Sequence, residues 1–216
     1  MTFSNDPAFV KPVTGMMMAS RETVVKYMTP LGLHHQMATG HHYGPGPWVC
    51  DLARPEWNPC YYAKADANGI GFDRTKTGSN ALSQYAAEAA KQWADPRTID
   101  PKYLLWFHHV PWTFKMRDGH TLWDDMVITY GQGVEEVRAM QATWETMRPY
   151  VDAQRFGAVA SNLRIQAREA RWWRDASIAY FQSKSGLPLP QGYAAPEKSL
   201  GYYEGLAFPY APGQGK

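Results

Sequence analysis

Cysteine is scarce in this 216-residue sequence, which has only Cys50 and Cys60 and no CxxC pair. That excludes a disulfide-stapled scaffold and the paired-Cys zinc motifs, and a Cys50–Cys60 bridge is not expected in a reducing compartment. Charge of one sign is equally scarce: 22 Lys and Arg stand against 20 Asp and Glu, for a net charge of +2. Mixed signs along the chain leave no electrostatic footprint for nucleic acid. No run of about 18 apolar residues is present to cross a bilayer. The opening residues, Met1 to Asp6, lack the basic and apolar blocks of a signal peptide, so the expected location is the cytoplasm. No internal repeat, HExxH pair or complete dinucleotide fingerprint is found, and neither a cofactor nor a metal is expected.

Aromatic residues are abundant at 14%, with nine Trp and thirteen Tyr. Indole and phenol rings stack on the CH faces of sugars, and they also anchor helix packing and interfaces. Composition leaves both roles open. A hydrophobic content of 44% over this length supports one substantial core, read as a single domain over residues 1–216.

Periodicity predicts a mainly α fold. Asp6-Pro7 reads as an N-cap followed by Pro in the first turn, opening a helix whose buried stripe is Val10, Val13, Met17, Val24 and Met28 and which stops before Pro30. Residues 30–80 are rich in Gly, Pro, His and aromatics without a sustained period, and read as an ordered, irregular surface. A short helix from Asn80 to Trp93 carries Leu82, Tyr85 and Ala89 on one side and ends at Asp95-Pro96. Asp100-Pro101 caps another with Leu104, Leu105 and Phe107. Thr121 and Asp124 have the spacing of a capping box, and Met126, Tyr130, Val134, Val137, Met140, Trp144 and Met147 recur at three- and four-residue steps. Gly131 and Gly133 weaken that helix. Asp152 caps the next, with Phe156, Ala160, Leu163, Ala167, Ala170, Trp173 and Tyr180 as its stripe. A turn at Pro149-Tyr150-Val151 makes the pair an antiparallel αα-hairpin. Beyond Ser183 a tail rich in Pro, Gly and Tyr wraps a surface or frays.

Chemistry concentrates in the irregular region. His41-His42-Tyr43-Gly44-Pro45-Gly46-Pro47-Trp48 packs imidazoles and an indole into a segment too rich in Gly and Pro for regular structure, hence a rigid, shaped turn. The pairs His34-His35, His41-His42 and His108-His109 do not have metal-ligand spacing, and one imidazole of each is expected to be hydrogen-bonded inside. Asp66-Ala67-Asn68-Gly69 begins like a calcium loop but lacks its later ligands, so a turn is the stronger reading. Gly69-Ile70-Gly71 is too short for a dinucleotide site. Glycoside hydrolysis needs two carboxyl groups across one sugar, about 5 to 9.5 Å apart. Asp51, Asp66 and Asp73 are the candidates if this chain is an enzyme in its own right, with Glu56 another carboxylate of that region. Asp124-Asp125 and Glu135-Glu136 lie on a helix where one member of each pair is solvated.

Several blocks carry a family resemblance. Met28-Thr29-Pro30-Leu31-Gly32-Leu33-His34-His35, Gly40 to Trp48, Asp51-Leu52-Ala53-Arg54-Pro55, Trp57-Asn58-Pro59, Gly69 to Thr75, Tyr103 to His109, Met140 to Trp144 and Trp172-Trp173-Arg174-Asp175 occur in one order. Together they resemble the C-terminal domain of the xylan α-glucuronidases of glycoside hydrolase family 67. The resemblance implies a largely helical domain that follows an N-terminal β-sandwich and a (β/α)8 barrel holding the catalytic carboxylates. Both of those parts are expected to be absent from the chain, so no residue here is expected to be catalytic. The domain would supply dimer contacts and an aromatic wall beside the uronic acid pocket, with Trp48 first, Trp57 second, and His41, His42 and Tyr43 as polar neighbours. Its partners would be a glucuronoxylan fragment or xylo-oligosaccharide and either a second copy or a catalytic barrel. Gln36 departs from the apolar residue expected after the first His pair. A second reading stays open: a compact stand-alone glycoside hydrolase or carbohydrate-binding protein using its own carboxylates on xylan-derived sugars.

Overall fold

The computed structural model describes residues 4–28, 30–32, 65–76 and 81–204. Among these the fold is mainly helical, as the periodicity predicts. Helix α1 (Pro7–Met28) opens on Asp6, whose carboxylate accepts the Ala8 N–H at 2.8 Å. It continues through Pro12. Helix α2 (Ala87–Trp93) and helix α3 (Leu104–Phe107) are short. Helices α4 (Leu122–Thr146) and α5 (Ala153–Ser185) are the long pair, and α6 (Leu200–Glu204) closes the described chain. The described sheet is one antiparallel pair, β1 (Gly69–Ile70) on β2 (Val110–Pro111), with Ile70 opposite Val110.

Helices α4 and α5 form the expected αα-hairpin. Thr121 Oγ1 accepts the Asp124 N–H at 3.1 Å and the Asp124 carboxylate accepts the Thr121 N–H at 3.3 Å, completing the capping box. Asp152 caps α5 by accepting the Arg155 N–H at 3.0 Å, and Gly186 ends it in the left-handed region. All seven expected positions of the α4 stripe are buried. On α5 Phe156, Leu163, Ala167, Ala170, Trp173 and Tyr180 are buried, and Ala160 packs against them half-buried.

The hairpin serves two cores. One gathers Val134, Val137, Met140 and Trp144 of α4 with Phe156, Leu163 and Ala170 of α5 and Phe9 and Tyr27 of α1. The other lies at the opposite end of the hairpin. It joins Leu122, Trp123, Met126 and Val127 to Ile178 and Phe181, and to Ile70, Leu104, Leu105, Phe107 and Trp112 of the short elements. The tail wraps rather than frays as far as residue 204: Leu187 and Leu189 pack on the second core and the Pro188 carbonyl accepts the Trp123 indole N–H at 2.8 Å.

Two expectations need correction. In α1, Val13, Val24 and Met28 of the expected stripe pack half-buried on the first core, but Val10 and Met17 are 44% and 72% exposed, and the fully buried residues are Phe9, Thr23 and Tyr27. Phe9 meets Tyr150, while Thr23 and Lys26 both bind Glu136 of α4, and these contacts rotate the helix away from its aliphatic stripe. Glu136 is therefore the interior member of the Glu135-Glu136 pair. The helix expected from Asn80 to Trp93 is two pieces, a 3₁₀ turn at Leu82–Gln84 and then α2, separated by an extended Tyr85. Tyr85 leaves the helical path to set its ring edge-on to Trp93, 5.1 Å between centroids, and 37% exposed rather than buried.

Gly133, which sequence marks as a weakness in α4, is where α1 comes closest. A Cβ there would stand 3.0 Å from both the Cβ and the backbone N of Tyr27. Gly133→Val is expected to destabilise the fold by about 1–3 kcal/mol through overpacking. Gly157→Ala on α5, where a Cβ meets nothing within 4 Å, is expected to stabilise by about 0.4–1 kcal/mol. Urea unfolding followed by circular dichroism measures both; equal effects at the two positions would show that α1 does not press on α4.

Candidate functional site

The segment expected to form the ligand wall is flanked by described residues that are held on one part of the fold. The turn Pro30–Gly32 packs on Pro101–Tyr103 and on α3. After the segment, the Phe72 N–H donates to the Leu105 carbonyl at 2.8 Å and the Arg74 N–H to the Phe107 carbonyl at 2.9 Å. Gly69 and Gly71 permit that approach: a Cβ would lie 2.1 Å from the Val110 carbonyl oxygen at Gly69, and 1.9 Å from that of His108 at Gly71, where φ is +121°. The Gly-Ile-Gly sequence is thus a backbone-packing device. Trp48, Trp57, His41, His42, Tyr43 and Asp51 lie outside the described residues, as do Cys50 and Cys60.

Of the candidate carboxylates, Asp66 and Asp73 are described. Asp66 makes the expected turn: its Oδ1 accepts the N–H groups of Asn68 at 2.7 Å and Gly69 at 3.0 Å. Those backbone donors, that of Asn68 foremost, hold the carboxyl below its usual range, with a further pull from His109. A carboxylate kept ionised in this way is unsuited to the proton-donating half of a glycosidase pair. Its backbone carbonyl accepts the Trp112 indole N–H at 2.7 Å, so the turn is tied to the second core. Asp73 is exposed and accepts from the Thr75 hydroxyl at 3.4 Å.

Next to Asp73, the Arg74 guanidinium lies 4.0 Å from the ring centroids of both Phe72 and Trp106, 8% exposed. Desolvated contact of this kind favours Arg over Lys, because a planar cation stacks on ring faces. Of the pair His108-His109, His108 is the interior member: it is buried, with Nε2 2.7 Å from the Trp93 carbonyl, while His109 is half-buried. Of the seven described Trp residues, Trp112, Trp123, Trp144, Trp172 and Trp173 are buried in the cores. The helix-packing role accounts for most of the aromatic excess that is described.

A cavity that sequence reasoning did not single out lies between α5 and the returning segment 197–203. It has a volume of about 210 Å³ and is lined by Arg168, Arg171, Trp172, Asp175, Lys198 and Tyr203, among others. A neighbouring cavity of about 470 Å³ shares Arg168 and Arg171 and extends past Arg164 to Gln141 and Ser161. Arg164, Arg168 and Arg171 follow one another at four- and three-residue steps, so one face of α5 presents all three. That spacing was the available signal. Asp175, 2% exposed, accepts from the Arg174 guanidinium at 2.7 Å and from the Glu197 N–H at 3.3 Å. Burial pushes its carboxyl upward against the pull of Arg174.

At the N-terminus of α4, Asp118, His120 and Asp125 bring one possible ligand atom each within 4.8 Å of one another. The imidazole is 2.9 Å from Asp118, which raises the His120 pKa and lowers that of Asp118. This hydrogen-bonded pair closes an exposed turn.

Comparison with known proteins adds to this geometry. The model of the family described as Glycosyl hydrolase family 67 C-terminus matches residues 1–194. The chain is similar to Alpha-glucuronidase A of Emericella nidulans, 33% identical over 196 residues that cover 89% of this chain and 22% of that one. It is also similar to Probable alpha-glucuronidase A of Aspergillus oryzae, 33% identical over 189 residues, and to Alpha-glucuronidase A of Aspergillus tubingensis, 30% identical over 190 residues. Each of these two matches covers 87% of this chain and 22% of the relative. The chain therefore spans about a fifth of the length of the curated relatives it matches.

The Asp66 turn carries a pH signature. With its folded pKa below its unfolded value of about 4, the carboxylate stabilises the fold fully above that value, and the contribution is lost as pH falls through the folded pKa. Asp66→Asn keeps the turn but not the charge. The melting temperature gap between the parent chain and the variant is expected to be present at pH 7 and to close as pH falls through the lowered folded pKa, whereas a gap of constant size would deny the ionised cap.

Proposed function

We propose, for a chain that belongs to glycosyl hydrolase family 67 and corresponds to its C-terminal part, the role of a helical platform beside the active site of an α-glucuronidase. The reaction in view is hydrolysis of the α-1,2 bond that joins glucuronic or 4-O-methylglucuronic acid to xylo-oligosaccharides. The match to the family over residues 1–194 is the observation that carries this reading. In it, the carboxylate pair that cleaves the bond belongs to a catalytic barrel, and this chain offers an aromatic wall from the Gly40–Trp48 loop, with Trp48, Trp57, His41, His42 and Tyr43 toward the sugar. Anchoring of both flanks of that region on α3 and β2 supports the assignment, because a ligand wall must be held by a rigid base.

The stand-alone hydrolase reading is weakened at Asp66, whose carboxylate is engaged by two backbone N–H groups. Docking of the platform on a catalytic domain or a second copy is supported by the outer face of α1. There Val10, Met17, Met18 and Val25 are 44%, 72%, 72% and 44% exposed, an apolar stripe without a partner among the described residues.

Two measurements test the proposal. Incubated with aldouronic oligosaccharides, the purified chain is expected to release no uronic acid. Release that disappears on Asp73→Asn or Asp51→Asn would establish the stand-alone enzyme instead. Light scattering is expected to give twice the chain mass of 24.4 kDa, falling to the single mass when Met17 and Met18 are both changed to Glu. A dimer untouched by that double change would remove the α1 face from the interface.

A further inference from the structure

Helix α5 carries more positive charge on one face than its surroundings neutralise. Arg155 pairs with Asp152 and Arg174 with Asp175, but Arg164, Arg168 and Arg171 meet no carboxylate among the described residues. The carboxylates that the facing part of α4 could offer are already engaged: Glu135 by Arg138, Glu136 by Thr23 and Lys26, and Glu145 by Arg148. On α5 itself, Glu169 acts electrostatically on the Tyr27 hydroxyl, which places it on the α1 side. Like charges at four- and three-residue steps repel, so the arginine row weakens the helix unless an anion answers it.

A concave space lies along that row. The cavity of about 470 Å³ is bounded by the three arginines, by Ser161 about one turn earlier on α5 and by Gln141 of α4. No acidic residue among the described ones lines it. The side chains of Ser161 and Gln141 make no hydrogen bond among the described residues, so a hydroxyl and an amide are free to donate beside the guanidinium groups. Arg164 is exposed and Arg171 half-buried. Arg168 is half-buried with its Nε buried, and it adds positive charge rather than that donor.

Charge and shape narrow the occupant. The arginines span about 10 Å of helix axis, so their long side chains approach a central guest from different directions. A carboxylate offers them one charge and two oxygens in one plane. A phosphoryl group carries about −1.5 to −2 near pH 7 with three acceptor oxygens, and it matches the Arg fork in bidentate fashion. The space falls in the range of about 300–1,000 Å³ usual for small-molecule sites and is larger than bare phosphate needs. Ile165 gives the remaining wall an aliphatic surface. We propose that the groove between α4 and α5 binds a small phosphate monoester. Arg164 and Arg171 grip the phosphoryl oxygens, Ser161 and Gln141 are its neutral donors, and Ile165 lies against the organic part. The site involves no residue of the Gly40–Trp48 loop, so it stands whether or not that loop faces substrate.

Titrations at constant ionic strength, followed through the Gln141 side-chain amide by nitrogen-proton correlation spectroscopy, test the site. Gln141→Ala assigns the peak. Glycerol 3-phosphate is expected to shift it in a saturable manner and inorganic phosphate to do so more weakly, while glycerol and D-glucuronate leave it in place. Arg164→Gln and Arg171→Gln, both at positions that solvent reaches, are each expected to weaken glycerol 3-phosphate at least about tenfold, the loss of a charged hydrogen bond. Arg97→Gln, outside the groove, is expected to leave it unchanged. No saturable shift with either phosphate, or an equal shift with D-glucuronate, would overturn the phosphoryl site. Unchanged binding in both groove variants would overturn its location. Sedimentation of the chain with phosphatidic acid vesicles, together with silence toward glycerol 3-phosphate, would assign the arginines to a lipid surface and overturn the small-molecule reading.

Discussion

The fold depends on one hairpin being shared by two cores. Helices α4 and α5 run side by side, and each divides its apolar residues between the ends: Leu122 to Val127 of α4 meet Ile178 and Phe181 of α5, while Val134 to Trp144 meet Phe156 to Ala170. Helix α1 covers one end and the short elements around Ile70, Leu104 and Trp112 cover the other. A two-helix unit buries too little apolar surface to be stable alone, because most helical stability in proteins comes from packing rather than propensity. The hairpin therefore needs both coverings, and the coverings have no scaffold without the hairpin.

Indole N–H groups stitch the irregular segments to this spine. Trp112 donates to the Asp66 carbonyl, Trp123 to that of Pro188 and Trp144 to that of Phe156. In each case a ring buried in a core holds a carbonyl that lies outside regular helix hydrogen bonding or at a helix start, so apolar packing and backbone satisfaction are achieved by one side chain. His108 does the same for the end of α2 through the Trp93 carbonyl. This gives the aromatic excess a structural account and explains how a chain with so many turns keeps its loop bases in place. The Trp172 indole N–H, also buried, makes no such bond among the described residues.

Much of the spine was legible in the sequence. The stripe from Met126 to Met147, the Thr121–Asp124 box and the Asp152 cap all act locally, and local rules describe them well. The phase of α1 was not legible, since Phe9, Thr23 and Tyr27 are turned inward by Tyr150 and Glu136, which lie more than 100 residues away. Tyr85 broke its expected helix for a similar reason, the ring of Trp93. Among candidate site residues, the Asp66–Asn68–Gly69 turn could be read from side-chain chemistry alone, and adjacency implied that one of His108 and His109 turns inward without saying which. The spacing of Arg164, Arg168 and Arg171 was legible, but the cavity beside Arg168 was not, because its opposite wall comes from residues 197–203, a return that no periodicity announces. Trp48 and its neighbours rest on family likeness.

Cooperativity between the two cores tests this account most directly. Leu163→Ala in the first core and Leu122→Ala in the second are each expected to cost about 2–5 kcal/mol. Native-state hydrogen exchange on each variant is expected to show the same loss of protection in α4 and α5 along their whole length, whichever core was cut. Protection that falls in one core while the other keeps its parental value would contradict a shared spine and show two units that fold independently.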